Sequence, residues 1–326
     1  MRRYLAAALA FVGMIACNKT GSIVSLPKPE ITFDDSFVEI KKRAAIDPSI
    51  TTQTIDAFDV WGYIGEEKEF VFDGDRVTRS GSGWTYGEVK YWIGSQTYHF
   101  GAVAPVDHDN ISVDTEGANE YGLGTVTFTN IDGSDDLLYA SKTVTTEADV
   151  LNNDPGKVHL QFAHLLSKVK FTVTNGFATD NTSIAVKNIR MSVPKTGTIN
   201  LAQSDWRTKE AWQVNERGLV LEFGDIEAGR KMKTTESAES DNERLTIPDE
   251  TTYTITFDVA MYIGSYEVPA YQVTRTVDIA QALKTGRNYN FKTTIGPENI
   301  DPAGPLKPIE FDVLEVKAWE ENEINL

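Results

Sequence analysis

Few residues in this chain of 326 could do chemistry, and their spacing limits what kind. Cys17 is the only cysteine, so it can form no internal disulfide and its thiol needs another use. Arg43 closes a basic tripeptide, Lys41-Lys42-Arg43, ahead of Ala44-Ala45 and Asp47-Pro48. Small residues and a turn former after an arginine describe an extended, accessible loop that a protease could cut between Arg43 and Ala44. His108 stands in Asp107-His108-Asp109-Asn110, with Asp114 and Glu116 downstream. Such oxygen ligands suit calcium, but EF-hand spacing and its glycine are missing, so this reads as a solvated acidic loop. Asp132-Gly133-Ser134-Asp135-Asp136 reads the same way.

The remaining groups make no catalytic case. His159 and His164 would face opposite sides of one continuous strand. His164 shares the parity of Leu160 and Phe162, which marks it as a core histidine with a partner. No glycine-rich loop leads from a strand into a helix, and no Gly-x-Ser-x-Gly turn occurs. No catalytic, cofactor-binding or metal site is assigned, and the chain reads as a non-enzyme that needs no cofactor.

What must position Cys17 is an export signal. Arg2 and Arg3 precede an apolar or small run, Leu5 to Ala16, that is too short to span a bilayer. Met14-Ile15-Ala16-Cys17 resembles a bacterial lipobox, with Met14 and Ile15 departing from its usual residues. The resemblance implies that Cys17 is acylated and anchors the protein to a membrane without a spanning helix. The chain carries 48 acidic against 31 basic residues and a net charge of −17. That balance argues against nucleic acid as a partner, because phosphates select basic faces.

The dominant sequence period is two. Val126–Phe128, Val158–Phe162, Val169–Val173, Tyr253–Phe257 and Val273–Val277 alternate apolar with polar residues, as strands that bury one face do. Gly81-Ser82-Gly83, Asp132-Gly133-Ser134 and Asn152 to Gly156 punctuate them as turns. The best short helix is Ile279 to Lys284. The expected class is therefore all-β, built as antiparallel sandwiches. Inward parity changes from even at Leu160, Phe162 and His164 to odd at Val169, Phe171 and Val173. A change of parity marks one strand ending as another begins, and it places a domain boundary at 166/167. Residues 296–308 hold four prolines and would carry the last strand away from its own domain.

The two ends of the chain resemble each other. Ile31-Thr32-Phe33-Asp34 matches Ile309-Glu310-Phe311-Asp312, and Val38-Glu39-Ile40-Lys41 matches Leu314-Glu315-Val316-Lys317. The first copy has two extra residues between its halves, and an even insertion keeps both face assignments.

Beyond these local patterns, Phe162 to Asn175 (FAHLLSKVKFTVTN) resembles the mid-chain signature of the fimbrillins, the type V pilins and fimbrillin-like lipoproteins of Bacteroides-type bacteria. The tryptophan strands from Phe58 onward, ending in Tyr98-His99-Phe100-Gly101-Ala102-Val103-Ala104-Pro105, resemble the N-terminal part of that family. Trp319 near the C-terminus also fits. The resemblance implies two transthyretin-like β-sandwich domains in tandem, a lipoprotein signal peptide and an extended C-terminal strand. It also implies a surface location at the outer membrane, within a fimbria that serves adhesion. An arginine-specific protease would remove an N-terminal strand, and the groove left behind would take a strand from another subunit.

On that reading, residues 1–16 are the signal peptide and 17–43 a lipidated pro-segment. Residues 44–166 and 167–296 are the two sandwiches, and 297–326 are the proline-rich arm and donor strand. Ile31, Phe33, Val38 and Ile40 are the apolar positions of a removable plug; Ile309, Phe311, Leu314 and Val316 are those of its replacement. The expected partners are other fimbrial subunits, the protease, the outer membrane through its lipid anchor, and a host or bacterial surface receptor. The alternatives are a tip or anchor subunit, or a surface glycan-binding lipoprotein using Trp61, Trp84, Trp92, Trp206 or Trp212 as a stacking platform. Tryptophan on a sandwich more often belongs to the core.

Overall fold

The computed structural model describes residues 28–34, 37–38, 55–65, 68–81, 83–204, 212–300 and 306–316. Cys17, Ile40, Arg43, Ala44, Trp206 and Trp319, with the side chains of Val38 and Val316, lie outside the described residues. The first strands in chain order are β1 (Phe37–Val38), β2 (Ala57–Ile64), β3 (Glu69–Ser80), β4 (Gly83–Thr85), β5 (Thr97–Ala104) and β6 (Ile111–Asp114). They are followed by β7 (Thr125–Thr129), β8 (Leu138–Thr145), β9 (Gln161–His164), β10 (Ser167–Asn175), β11 (Thr182–Asn200) and β12 (Trp212–Gly224). The last are β13 (Ser237–Glu239), β14 (Arg244–Thr246), β15 (Glu250–Ile263), β16 (Tyr271–Ala282), β17 (Asn288–Ile295) and β18 (Asp312–Val316). One short helix, α1 (Pro297–Ile300), precedes β18.

The class is all-β, as the alternation implies. A seven-stranded sheet runs β1-β9-β8-β5-β2-β3-β4, and a five-stranded sheet contains β13-β10-β17-β18 with β14 also on β10. The third sheet runs β16-β15-β11-β7-β6, with β12 on the other edge of β11. Its spine is β11, 19 residues long. Thr182–Met191 pair with β15, whereas Thr196–Asn200 pair with β7, which comes from the first half of the chain. The third sheet is thus shared between the two halves of the chain.

Three apolar clusters follow from this arrangement. One lies between the five-stranded sheet and the β15–β11 part of the third sheet, with Phe171, Phe223, Phe257 and Phe291 at its centre. A second fills the concave side of the seven-stranded sheet around Phe58, Phe72, Phe100 and Phe162. The last joins the outer face of that sheet to the β7 end of the third, through Val103, Tyr139, Phe128 and Ile199. β10 shows why alternation predicts such packing: Ser167, Val169, Phe171, Val173 and Asn175 are buried and the residues between them are half-buried. β9 gives way to β10, in another sheet, through Leu165 and Leu166, both fully buried.

One local expectation fails. Ile279 to Ala282 belong to strand β16, paired with Tyr253 to Glu250 of β15, and not to a helix. The stretch has helix-compatible residues, but the partner strand satisfies its backbone and seats Ile279 against the core.

Candidate assembly site

The first terminal segment is inserted between two others. On one side Glu30 bridges Tyr91 in antiparallel fashion, Ile31 N–H donates to Lys90 O at 2.9 Å, and Trp92 N–H donates to Pro29 O at 3.0 Å. On the other side Phe33 bridges Val158 in parallel, with Val158 N–H to Thr32 O at 2.7 Å and Asp34 N–H to Val158 O at 3.0 Å. β1 continues this pairing in parallel along β9, Phe37 beside Gln161 and Val38 beside Phe162. The Tyr86 hydroxyl donates to Ile31 O at 2.5 Å, a tie between distant segments that no local pattern could announce.

Side chains complete the seat. Ile31 is fully buried and Phe33 is 3% exposed, so both belong to the core and not to a surface flap. The Phe33 ring meets Phe58, Phe72, Tyr86 and Phe100 at centroid distances of 5.6 to 6.3 Å, all near edge-on. Such aromatic pairs add to the burial of their area. Two rows of backbone groups and an apolar trough therefore depend on this one segment.

The C-terminal segment is seated on its own half of the chain. The proline-rich stretch does not carry it away from its own half: residues 312–316 lie along the edge of the five-stranded sheet. β18 pairs antiparallel with β17, Asn288 beside Val316 and Lys292 beside Asp312, and forms the edge of that sheet. Ile309 is buried, and Phe311 packs edge-on against Phe171 and Phe257 at 6.0 and 5.9 Å. Val313 continues the inward row, while Leu314 is 47% exposed, as its opposite parity requires. The apolar row finds its nearest core here, which is why the arm folds back.

A polar latch holds the arm. Buried Asn299 donates from Nδ2 to Pro308 O at 3.0 Å, and its Oδ1 accepts from Gly296 N–H at 2.9 Å. Lys307 N–H donates to Glu298 O at 2.6 Å, and Thr293 Oγ1 to Glu310 O at 2.7 Å. Glu315 faces Lys284 and Arg287 at 3.9 and 3.6 Å, a pair of solvent-screened contacts. Nothing in the sequence marks Asn299, because an asparagine near the start of a proline-rich stretch carries no signal of a partner nine residues on.

His164 Nδ1 lies 2.5 Å from Asp136 Oδ2, so the histidine has a carboxylate partner. Both residues are half-buried and lie outside the apolar clusters, whereas parity places His164 inside. Asp107 binds Arg76, which also pairs with Asp59, and this guanidinium holds the Asp107 carboxyl below its ordinary value. Among the described residues no group of His, Cys, Asp and Glu is placed to hold a metal ion. Trp84 and Trp92 are buried in the concave core, and Trp61 packs against the interface cluster. Trp212 packs against that cluster too and donates from Nε1 to Leu165 O at 3.0 Å.

Sheets that share a long spine strand, with both terminal segments paired along other strands, define an all-β protein. The fimbrillin-like family model matches residues 43–315, and the chain belongs to the fimbrillin-like family. The chain is similar in fold to a fimbrial protein of Bacteroides vulgatus, with a TM-score of 0.59 at 13% identity over 88% of this chain and 99% of that one. A candidate cell adhesion protein of Parabacteroides distasonis aligns with a TM-score of 0.50 at 8% identity, covering 89% and 97% of the two chains. One from Bacteroides uniformis aligns with a TM-score of 0.49 at 15% identity, covering 90% and 98%. The sequence matches no curated protein at a significant level. Membership places the protein among fimbrial proteins of the cell surface, structural proteins rather than enzymes.

Proposed function

We propose that the protein is a structural subunit of a surface fimbria, with a role in adhesion, that polymerises by donor-strand exchange after an N-terminal strand is cut away. The seat of Ile31 and Phe33 carries this reading. A segment inserted between residues 90–92 and 158–162 leaves unpaired backbone on both sides and an exposed trough when it is removed. Both are costly in water. An incoming strand is stable there only if its backbone pairs and its alternate side chains fill the same pockets. Ile309 and Phe311 repeat the spacing of Ile31 and Phe33, and β18 is the edge strand of its sheet. The family match covers residues 43–315, so the first strand lies ahead of the matched span and all but the final residue of the last strand lies within it.

On this reading an arginine-specific protease cuts between Arg43 and Ala44. The cut also frees the body from a lipid on Cys17 that holds the precursor at the outer membrane, which suits a shaft subunit. Treating the purified precursor with trypsin or an arginine-specific protease yields one early clip at Arg43, followed by a ladder of oligomers. An Arg43 bond that resists cleavage, or a clipped protein that stays monomeric, sinks the reading.

A further inference from the structure

On the outer face of the seven-stranded sheet, Tyr63, His99 and Thr143 form one cross-strand row over β2, β5 and β8. Tyr63 and His99 stack, with ring centroids 5.3 Å apart and planes at 29°, and His99 Nδ1 lies 3.2 Å from Thr143 Oγ1. Beside this row opens a cleft of about 280 Å³, whose far wall is the turn from Asn119 to Leu123. That wall is braced. Asn119 and Gly122 exchange backbone hydrogen bonds at 2.9 and 3.1 Å, and Asn119 Nδ2 donates to Ala202 O at 3.0 Å. A cleft with a fixed wall spends little ordering entropy on binding.

The lining is aromatic and hydroxyl-rich, with one carboxylate, Glu120, and one ammonium group, Lys142. Tyr121, 48% exposed, and Glu120 belong to the wall, and Ser141 to the floor. Tyr63 is only 4% exposed, and its phenol oxygen is buried with no hydrogen-bond partner. A buried hydroxyl left unpaired costs about 1–3 kcal/mol, a cost that a ligand atom can remove. Burial, reinforced by the Glu120 carboxylate, pushes that phenol up to about 12, so it keeps its proton at neutral pH. Burial also lowers the His99 imidazole from its ordinary value, which keeps it uncharged there.

We propose that this cleft binds one neutral sugar ring, such as the terminal unit of a glycan. A sugar hydroxyl both donates and accepts, so one such group satisfies the Tyr63 phenol and the Glu120 carboxylate together. The apolar C–H face of the ring stacks on an aromatic side chain. Glu120 and Lys142 give the lining one charge of each sign, so it has no local excess that selects a charged sugar, and the net charge of −17 opposes anionic ones. The volume lies just below the range of about 300–1,000 Å³ that accepts drug-sized ligands, which suits a single ring. None of these residues belongs to either terminal strand, so the inference stands apart from strand exchange.

The test titrates the intact chain with the methyl glycosides of glucose, galactose, mannose and N-acetylglucosamine, read by saturation-transfer NMR. Saturable binding of at least one is expected, weakened about tenfold in Tyr63→Phe, as for the loss of one buried hydrogen bond. Tyr121→Ala, a change at an exposed side chain, supplies the same reading if Tyr63→Phe fails to fold. The proposal is overturned by absence of saturable binding to all four glycosides, or by unchanged affinity in the folded variant. Tetramethylammonium binding more tightly than every sugar overturns it as well, because the cleft would then be a cation cage.

Discussion

The ring of Phe33 stands edge-on to that of Phe58, centroids 5.6 Å apart and planes at 80°. Phe58 is part of β2 in the middle of the first sandwich, whereas Phe33 comes from a segment ahead of every long strand. The chain therefore completes its first core with residues on the far side of the expected cut. Loss of that aromatic contact should be felt by the whole sandwich. Phe33→Ala in the uncut protein is expected to lower stability by about 3–5 kcal/mol, measured by urea unfolding. A loss below about 1 kcal/mol would show that the segment only lies on the surface.

Removing residues 309–326 tests the other end. The clipped, truncated protein should stay folded but form no oligomers by size-exclusion chromatography. Its second sandwich should be weaker, since burial of Ile309 contributes about 1.5–3 kcal/mol and the partly buried Phe311 adds less than a fully buried ring would. Polymerisation that survives the truncation would eliminate the terminal donor strand.

The latch at Asn299 should set how readily the arm leaves. Asn299→Ala removes the hydrogen bonds to Pro308 O and from Gly296 N–H, each worth about 0.5–1.5 kcal/mol. Amide exchange across 306–316 should accelerate while the amides of β10 keep their protection. Equal acceleration in both would mean that the substitution loosens the sandwich as a whole.

Gly122 is a point where the two halves of the chain meet closely. A Cβ there would lie 2.7 Å from the Tyr139 hydroxyl and run into the Leu201 carbonyl. Gly122→Ala should cost about 1–3 kcal/mol through forced displacement at this junction. Thermal unfolding reports it, and an unchanged midpoint would show that the turn can move freely away from β11.

Acid should weaken the third sheet through Asp258. Its carboxylate accepts from Thr274 Oγ1 at 2.5 Å and Asn188 Nδ2 at 2.8 Å, and these bonds lower its pKa from the ordinary 3.8. A group depressed in the folded state stabilises fully above its unfolded pKa and loses that contribution as pH falls through the folded one. The advantage of the wild type over Asp258→Asn should stay constant near neutrality and shrink below 3.8. A gap that does not change with pH would assign the role to shape and not to charge.

Much of the fold was legible because a strand with one buried face must alternate. β10 could be read residue by residue, and the parity change between His164 and Val169 corresponds to the passage from β9 to β10 through Leu165 and Leu166. Ile279 to Lys284 misled because propensity is local, while β16 exists through its pairing with β15. The sharing of β11, 19 residues long, between β15 and β7 had no local sign either, because each pairing is made by a strand distant in sequence. The row of Tyr63, His99 and Thr143 could not be found from spacing, since its members sit on three strands and meet only through register.

The sequence by itself determined the all-β class, the faces of the terminal strands and the likeness between them. All three follow from period-two alternation, which the backbone imposes on any strand. Only the tertiary structure decided where those strands lie: Ile31 and Phe33 inside the first core, and Ile309 and Phe311 against their own second one. Alternation says which side of a strand is apolar. It does not say which core is nearest, and that choice is made by the sheets that curve around it.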